Sequence, residues 1–516
     1  MDSRVERMKF QQFDLVVLGS GFSGSLLAWI VAKAGRRVLL VDPVPHPRFA
    51  IGESSTPLAD FLLEQIADEF QLPEVAELSR WGRWQQKHSQ LRAGKKRGFS
   101  YFRHQLGQEF SECASHENSL LVAASASDEL SDTHWLRSDV DQWFFRNAVA
   151  AGAAACCPGK VTNITRREPW RILVQTSRES GDSETTEVEA AQIVDASGAA
   201  AVIPNSLDVA KLDSQLQTRS GAVFGHFEGV GSMDGWLRLN RASTAGDPFA
   251  SDDAAQHHVL DDGWIWMLRF AHGVTSVGRV WHHMPEEFRD KPRQTLQDQW
   301  TAEIHRWPTL ASLMSHAELI APVSRLSSAG EQQPSLQIAS RMSRLWSAAA
   351  GEDWLLLPST AGVIDPLHST GIAHSLWGVR QVARILLDRP SAISRPNYSN
   401  SIVSEVRLVD RLVSSAYQSQ RHGFDLFCGA SCLYFISAIQ CEAQMAAGGQ
   451  LHDGFLCWQN NEIQEVVNWF SDQVAKDSVE SRILLEELRR RIEPWNSAGL
   501  LDPALNNRIA RSAADK

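Results

Sequence analysis

The stretch Asp14-Leu-Val-Val-Leu-Gly19-Ser-Gly21-Phe22-Ser23-Gly24 constrains this chain more than any other, and Val38-Leu-Leu-Val-Asp42 follows it at one helix length. A short apolar run enters Gly19-x-Gly21-x-x-Gly24, and a second apolar run ends in an acid. Between two strands, each glycine has a separate task. Gly19 permits a tight turn, Gly21 lets the backbone come close to a pyrophosphate, and Gly24 lets the helix pack on the strand. The helix opens with Phe22 and Ser23, and its free N–H groups and positive dipole end face an anion. Asp42, at the end of the second strand, can accept hydrogen bonds from a ribose. The pattern predicts the opening βαβ unit of a dinucleotide-binding domain.

A chain of 516 residues can bury a large core and predicts two or three domains. A net charge of −11 argues against a nucleic-acid partner, because phosphate binding needs a basic surface. No uninterrupted apolar run reaches the roughly 20 residues that span a bilayer. The N-terminal Met1-Asp-Ser-Arg-Val-Glu-Arg lacks the apolar centre of a signal peptide. The expectation is a cytoplasmic protein with no membrane span. Seven cysteines form an odd set without metal-ligand spacing, so reduced packing thiols and no metal site are expected, Cys156-Cys157 and Cys428/Cys432 included. Eighteen tryptophans against four tyrosines is an unusual balance, and some of them are candidates for the wall of an aromatic-binding pocket.

Residues 56–70 read as a helix with Leu58, Phe61, Leu62 and Ile66 on one face, and 138–151 as a second. Ile172-Leu-Val and the polar turn at 177–185 suggest a hairpin, and Ala191-Gln-Ile-Val-Asp195-Ala-Ser-Gly198 a buried strand entering a glycine turn. Alternating runs at 220–227, 264–270 and 275–281 predict an antiparallel sheet, split by a polar loop over 242–255. An apolar strand at 354–357 and a helix ended by Pro390 follow, and 396–516 reads mostly helical with a frayed last dozen residues. The predicted class is α/β: a discontinuous Rossmann-type domain carrying an inserted, mainly antiparallel sheet and a C-terminal helical region. The expected boundaries are 1–205 and 331–395 for the first domain, 206–330 for the sheet, and 396–516 for the helices.

Four separated motifs agree: the Gly19 fingerprint with Asp42; Ile51-Gly52-Glu53-Ser54-Ser-Thr-Pro57; Asp195-Ala-Ser-Gly198; and Gly362-Val-Ile-Asp365-Pro-Leu-His368-Ser-Thr370-Gly371. Together they resemble the FAD-dependent monooxygenase superfamily. The Gly-Glu-Ser-x-x-Pro and Asp-Pro-Leu-x-Ser-Thr-Gly segments are similar to the tryptophan-halogenase family of flavin-dependent halogenases, over roughly residues 13–390. Lys96-Arg-Gly98-Phe-Ser-Tyr101 matches that family's lysine setting. Gly263-Trp264-Ile-Trp266-Met-Leu268-Arg269 keeps both tryptophans of the family's Trp-x-Trp-x-Ile-Pro but has Leu-Arg where Ile-Pro stands.

The resemblance implies FAD, reduced by a separate flavin reductase, and chloride or bromide as co-substrate. Reduced flavin and oxygen would convert the halide to hypohalous acid, which a lysine delivers to an electron-rich aromatic molecule, free or tethered to a carrier protein. On this basis Lys96 is the catalytic candidate, since an ammonium can hydrogen-bond hypohalous acid and a neutral amine can form a haloamine. Composition alone also allows Arg92, Lys95, Lys96 and Arg97 to be a solvated basic loop, with Lys95 as the nearest substitute. His368 stands where tryptophan-acting members carry glutamate, and it is either a base toward the substrate or a structural residue. Thr370 and Gly371 are expected at the halide, or as an ordinary helix start. Trp264 and Trp266 are expected to separate flavin from substrate. The expected FAD contacts are Gly19, Gly21, Phe22, Ser23, Gly24, Asp42, Gly52, Glu53, Ser54, Arg137, Asp195, Gly198 and Asp365. The Leu-Arg departure keeps open an alternative, a hydroxylating or epoxidising monooxygenase. No second glycine-rich fingerprint occurs, consistent with an outside source of reduced flavin.

Overall fold

The strand Phe10–Leu18 lies inside a seven-stranded sheet, between Val38–Val41 and Ser183–Asp195, both parallel to it. The computed structural model describes residues 10–177, 183–289, 293–321 and 335–512. Ala154–Cys156 extends one side of this sheet in parallel. On the other side the long strand Ser183–Asp195 changes partners: its first half pairs antiparallel with Trp170–Ser177, and its end takes up Trp354–Leu356 in parallel. The hairpin expected from Ile172-Leu-Val and the 177–185 turn is present as Trp170–Ser177 paired with the first half of Ser183–Asp195, although part of its turn lies outside the described residues. Val38–Val41 is buried throughout, as a strand covered on both faces should be. The helix Phe22–Lys33 is buried from Phe22 to Ala32 and shows no polar stripe. It is enclosed between the sheet and the helices Arg137–Ala150 and Gly371–Leu386. The predicted 56–70 helix is Pro57–Phe70, with all four of its marked apolar residues buried.

A second, nine-stranded sheet contains the three alternating runs as Gly221–Glu228, Gly263–Arg269 and Thr275–Trp281, paired antiparallel. It also takes strands from far away in sequence. Gly98–Arg103 pairs in parallel with Ala255–Leu260, and Ser119–Ala123 continues from it. The outermost strand is Arg508–Ile509, parallel to Leu121–Val122. The frayed last dozen residues expected from sequence are corrected as far as Ser512, and 513–516 lie outside the described residues. Arg508 is buried, pairs with Asp247 and donates to Ser119 Oγ at 2.8 Å, and Ser512 Oγ donates to Ala123 O at 2.9 Å. A two-residue strand carries too little periodicity to be read from sequence.

The C-terminal region is helical: Arg395–Gln420, Phe424–Gly448, Asn461–Val474 and Ser481–Ile492. Phe424–Gly448 is long and apolar enough to cross a membrane by length and composition, but most of it is buried among the other helices. An apolar surface all round is what a helix at the centre of a bundle presents. Its inner end closes over the second sheet, where Phe427, Tyr434 and Phe435 meet Tyr101 and Phe99.

Candidate active site

The glycine fingerprint forms a cradle that other residues would fill. Gly19 has φ +104°, and a Cβ there would lie 2.4 Å from Ala196 O; one on Gly24 would lie 2.1 Å from Gly19 O. A Cβ on Gly21 would meet only polar side-chain ends: Asp141 Oδ2 at 3.6 Å, itself paired with Arg137, then Arg137 Nη2 at 3.8 Å and Arg48 Nη2 at 3.9 Å. Two guanidinium groups therefore flank a helix N-terminus that lacks a side-chain cap, an arrangement suited to a pyrophosphate. Asp42 accepts from Ser20 N at 2.7 Å and Val44 N at 3.0 Å and pairs with Arg48. A cleft of about 840 Å³ opens here, lined by Gly19, Asp42, Arg48, Phe49, Ala196 and Ser197 among others. These residues fit a dinucleotide such as FAD.

Arg137 donates to Ile51 O at 2.7 Å and Gly52 O at 3.1 Å, pairs with Asp141 at 2.8 Å, and lies over the Phe22 ring. The Asp141 contact is an i, i+4 ion pair within the helix that Arg137 opens. Phe22 and Ser23 are buried. Asp195 turns inward, accepting from Ser197 N at 2.9 Å and Ile203 N at 2.7 Å, and burial holds its carboxyl above the usual range. It shapes the turn whose Ala196 and Ser197 line the cleft. Gly198 N donates to Thr360 Oγ1 at 2.9 Å. Arg48 was not foreseen; its only sequence signal is a basic residue six positions beyond Asp42.

From Arg48 the chain runs on through Gly52-Glu53-Ser54-Ser55 to a second centre. Glu53 is buried and bonded to His226 Nε2 at 2.8 Å. Ser54 forms a bridge with His134, and Ser55 O accepts from Lys96 Nζ at 2.5 Å. Lys96 is fully buried, with its ammonium 4.0 Å from the centroid of the Phe99 ring. The strand Ala93–Lys96 explains the selection, because neighbouring side chains point to opposite faces. Lys95 faces outward to Asp128 at 2.6 Å and Asp253 at 3.0 Å, while Arg97 and Arg92 pair with Asp128 and Asp139. Of the four basic residues, Lys96 is the one carried to the interior.

The Asp365–Gly371 turn lies against this segment. Asp365 is buried and accepts from Tyr417 Oη at 2.7 Å, from Leu367 N at 2.9 Å and from Ser220 Oγ. Burial raises its carboxyl. Ser369 Oγ donates to Ser54 Oγ at 3.1 Å, which ties the turn to the Lys96 segment. Thr370 stands at the start of Gly371–Leu386 without a side-chain cap bond, and a Cβ on Gly371 would face open space. His368 is fully buried and stacks on Tyr434, and burial holds it at a pKa of about 3, so it is neutral at physiological pH. His257 and His134, beside Lys96, are likewise pushed down to about 3, by burial first and by the Lys96 charge second.

A line of rings separates the cleft from this centre. Phe49, in the cleft wall, meets Phe224 at 6.1 Å; Phe224 meets Trp266 at 5.9 Å, Trp266 meets Trp264 at 6.0 Å, and Trp264 meets His257 at 5.0 Å. Trp266 lies flat across the neighbouring strand because Gly278 opposite it has no side chain. Arg269, where the halogenase family has proline, turns away to Asp252 at 2.9 Å and Val230 O at 3.1 Å.

No family model matches the chain. Tetracycline 7-halogenase of Kitasatospora aureofaciens is 28% identical over 369 residues, which is 70% of this chain and 61% of that protein. The halogenase PrnC of Pseudomonas fluorescens is 25% identical over 386 residues, 73% of this chain and 61% of that one. In sequence the chain is similar to enzymes named as flavin-dependent halogenases. Its match spans about 61% of the length of these curated relatives. Among solved structures, halogenase PltM in complex with phloroglucinol and FAD superposes with a TM-score of 0.81 at 21% identity, covering 96% of this chain and 99% of that one. The shared fold is an α/β arrangement with mixed sheets and a helical C-terminal region.

Proposed function

We propose that this chain is an FAD-dependent halogenase acting on an electron-rich aromatic small molecule. The observation that carries the reading is the buried ammonium of Lys96, seated between Ser55 O and the Phe99 ring beyond the tryptophan pair. Bound FAD supplies the oxidation of halide by reduced flavin and oxygen. Gly19, Gly21, Gly24, Arg48 and Arg137 would hold its diphosphate, with Gly52, Glu53, Ser54 and Asp365 shaping the flavin end. Thr370 and Gly371 offer backbone N–H groups to the halide. Trp264 and Trp266 keep the organic substrate from the flavin, and Lys96 holds the hypohalous species by hydrogen bonding. His368, neutral in its buried setting, faces the substrate.

The finer architecture is a dinucleotide domain drawn from 1–205 and 331–395, a substrate-side sheet over 206–330 that also takes in Gly98–Arg103, Ser119–Ala123 and Arg508–Ile509, and helices from 396 onward. A cytoplasmic protein served by a separate reductase belongs to the same reading, as does a substrate arriving free or on a carrier. The similarity to tetracycline 7-halogenase, and to the halogenase PltM in complex with phloroglucinol and FAD, supports an aromatic substrate on this framework. The test is incubation with a flavin reductase, FAD, NADH, oxygen and bromide or chloride, with an aromatic panel read by mass spectrometry. Halide-dependent product that disappears in Lys96→Ala, with FAD still bound, supports the proposal. Halide-independent hydroxylation that survives Lys96→Ala establishes the monooxygenase instead.

A further inference from the structure

The helix Phe424–Gly448 places a phenol ring of the chain itself at the inner end of the site. Tyr434 stacks on the imidazole of His368 with 4.6 Å between centroids and 4° between planes. Its edge contact with Phe99 is 6.2 Å, and Phe99 is the ring beneath the Lys96 ammonium. Burial first, then the carboxylates of Glu442 and Asp132, push its hydroxyl up, and Asp132 stands opposite Lys96 in the register of the two-stranded sheet. The phenol thus fills the space that Lys96, Phe99 and His368 enclose.

The polar atoms around it are not satisfied by it. His368 Nδ1 and Nε2, Tyr101 Oη and His134 Nδ1 are all buried, with no hydrogen-bond partner among the described residues. His257 joins the group, stacked on Tyr101 at 4.6 Å and 5.0 Å from the Trp264 ring, with the Lys96 charge helping to hold it neutral. Buried polar atoms without partners are uncommon and unfavourable. Four of them in one cluster mark a place shaped for a polar group that Tyr434 does not supply.

We infer that Tyr434 holds the guest's place, and that the guest is a hydroxylated arene that displaces this ring and hydrogen-bonds to His368 through its hydroxyl. The use made of the guest rests on the halogenase reading; its binding does not. A neutral imidazole has one lone pair and one N–H, so a hydroxyl can satisfy either nitrogen, whereas an indole or pyrrole N–H can only donate. A hydroxyl donating to His368 also enriches the ring carbons ortho and para to it, the positions an electrophilic halogen attacks.

The four tyrosines make the exchange measurable. Protein grown with 3-fluorotyrosine gives one fluorine signal per tyrosine, and Tyr434→Phe identifies the one at issue. Oxidised, FAD-loaded protein is titrated with 4-ethylphenol and, separately, with its methyl ether 4-ethylanisole. The expected result is a saturable move of the Tyr434 signal toward a solvent-exposed frequency with the phenol, and roughly tenfold weaker binding of the ether. His368→Phe, which keeps the stack, should erase that preference. Absence of saturable phenol binding, saturation without movement of the Tyr434 signal, or an ether that binds as tightly as the phenol overturns the inference. Hypobromous acid production is followed separately with a β-diketone trap, reductase, NADH and bromide. Its absence overturns the halogenase reading while leaving the exchange standing, and its presence with an unmoved Tyr434 does the reverse.

Discussion

The ammonium of Lys96 donates to the carbonyl oxygen of Ser55 at 2.5 Å, joining segments 41 positions apart in sequence. The bond is fully buried, so the amine is held at one place rather than sampling solvent. Lys96→Met keeps the length of the stem and its packing on Phe99 while removing the donor. Halide-dependent product should fall by about 10²-fold or more, in the range expected when a positioned proton-handling group is lost. FAD affinity, measured by flavin fluorescence, should stay close to that of the parent. A Lys96→Met protein that halogenates at the parent rate would remove this residue from the chemistry.

Ser55 is itself positioned from the other sheet, because its neighbour Glu53 is bonded to His226 at 2.8 Å and both are buried. His226→Phe strands the Glu53 carboxylate without that partner, at a cost of about 1–3 kcal/mol. The unfolding midpoint in denaturant should drop accordingly, and halide-dependent turnover should fall with it as the Ser54–Ser55 turn loosens. His226→Gln, which restores a donor, should recover most of both. Equal losses in the two variants would show that ring packing, not the hydrogen bond, holds this turn.

The site was legible where its chemistry is written in local motifs. Gly19-x-Gly21-x-x-Gly24 and Gly52-Glu53-Ser54 are contiguous, and the structure sets them along one path from cleft to lysine. Lys96 was separable from Lys95 only through the family resemblance, because four basic residues in six positions have no internal phase until the strand Ala93–Lys96 supplies one. His226, Tyr434 and Gly278 were invisible. His226 and Tyr434 act across contacts between segments far apart in sequence, and Gly278 acts through the register of two adjacent strands; no spacing within one segment records either. The same holds for Arg508–Ile509, whose partners lie near residue 121.

Gly278 is the clearest of these to test. A Cβ there would lie 2.1 Å from Trp266 Cζ2, far inside contact distance, and Trp266 is buried within the ring series. Gly278→Ala should displace the indole and destabilise the protein by about 1–3 kcal/mol, the range for overpacking a filled core. Displacement should also break the indole N–H bond to Ser276 Oγ, now 3.1 Å. An alanine variant with parent stability and an unshifted tryptophan emission would mean the neighbouring strand yields instead.

Arg48 and Arg137 share the approach to Gly21 but differ in what else they hold. Arg48 pairs with Asp42 in the cleft wall, whereas Arg137 also anchors Ile51 O, Gly52 O and Asp141. Arg48→Gln should therefore weaken FAD by roughly tenfold, the loss of one charge-assisted bond, with little change in the stability of the FAD-free protein. Arg137→Gln should weaken FAD and lower stability together. Riboflavin has no diphosphate, so its affinity should be insensitive to Arg48→Gln. An equal loss for FAD and riboflavin would place Arg48 away from the diphosphate.

Acid sensitivity follows from the buried imidazoles. His104, His134, His257, His282 and His368 are each pushed down to about 3, with burial as the leading cause. Unfolded histidine titrates near about 6.5. Between those values the unfolded chain binds protons that the folded chain refuses, so the stabilising effect is complete above pH 6.5 and is lost as pH falls. Asp195 and Asp365, whose carboxyls burial raises, work in the opposite sense, but only as pH nears the carboxylate range. Denaturant unfolding should therefore show stability falling below pH 6.5, by up to about 1.4 kcal/mol per pH unit for each histidine. His104→Phe, at a residue whose ring is hydrogen-bonded only to His258 among the described residues, should make that slope shallower by one proton. Stability that stays level from pH 7 to pH 5 would mean these imidazoles take up protons in the folded state.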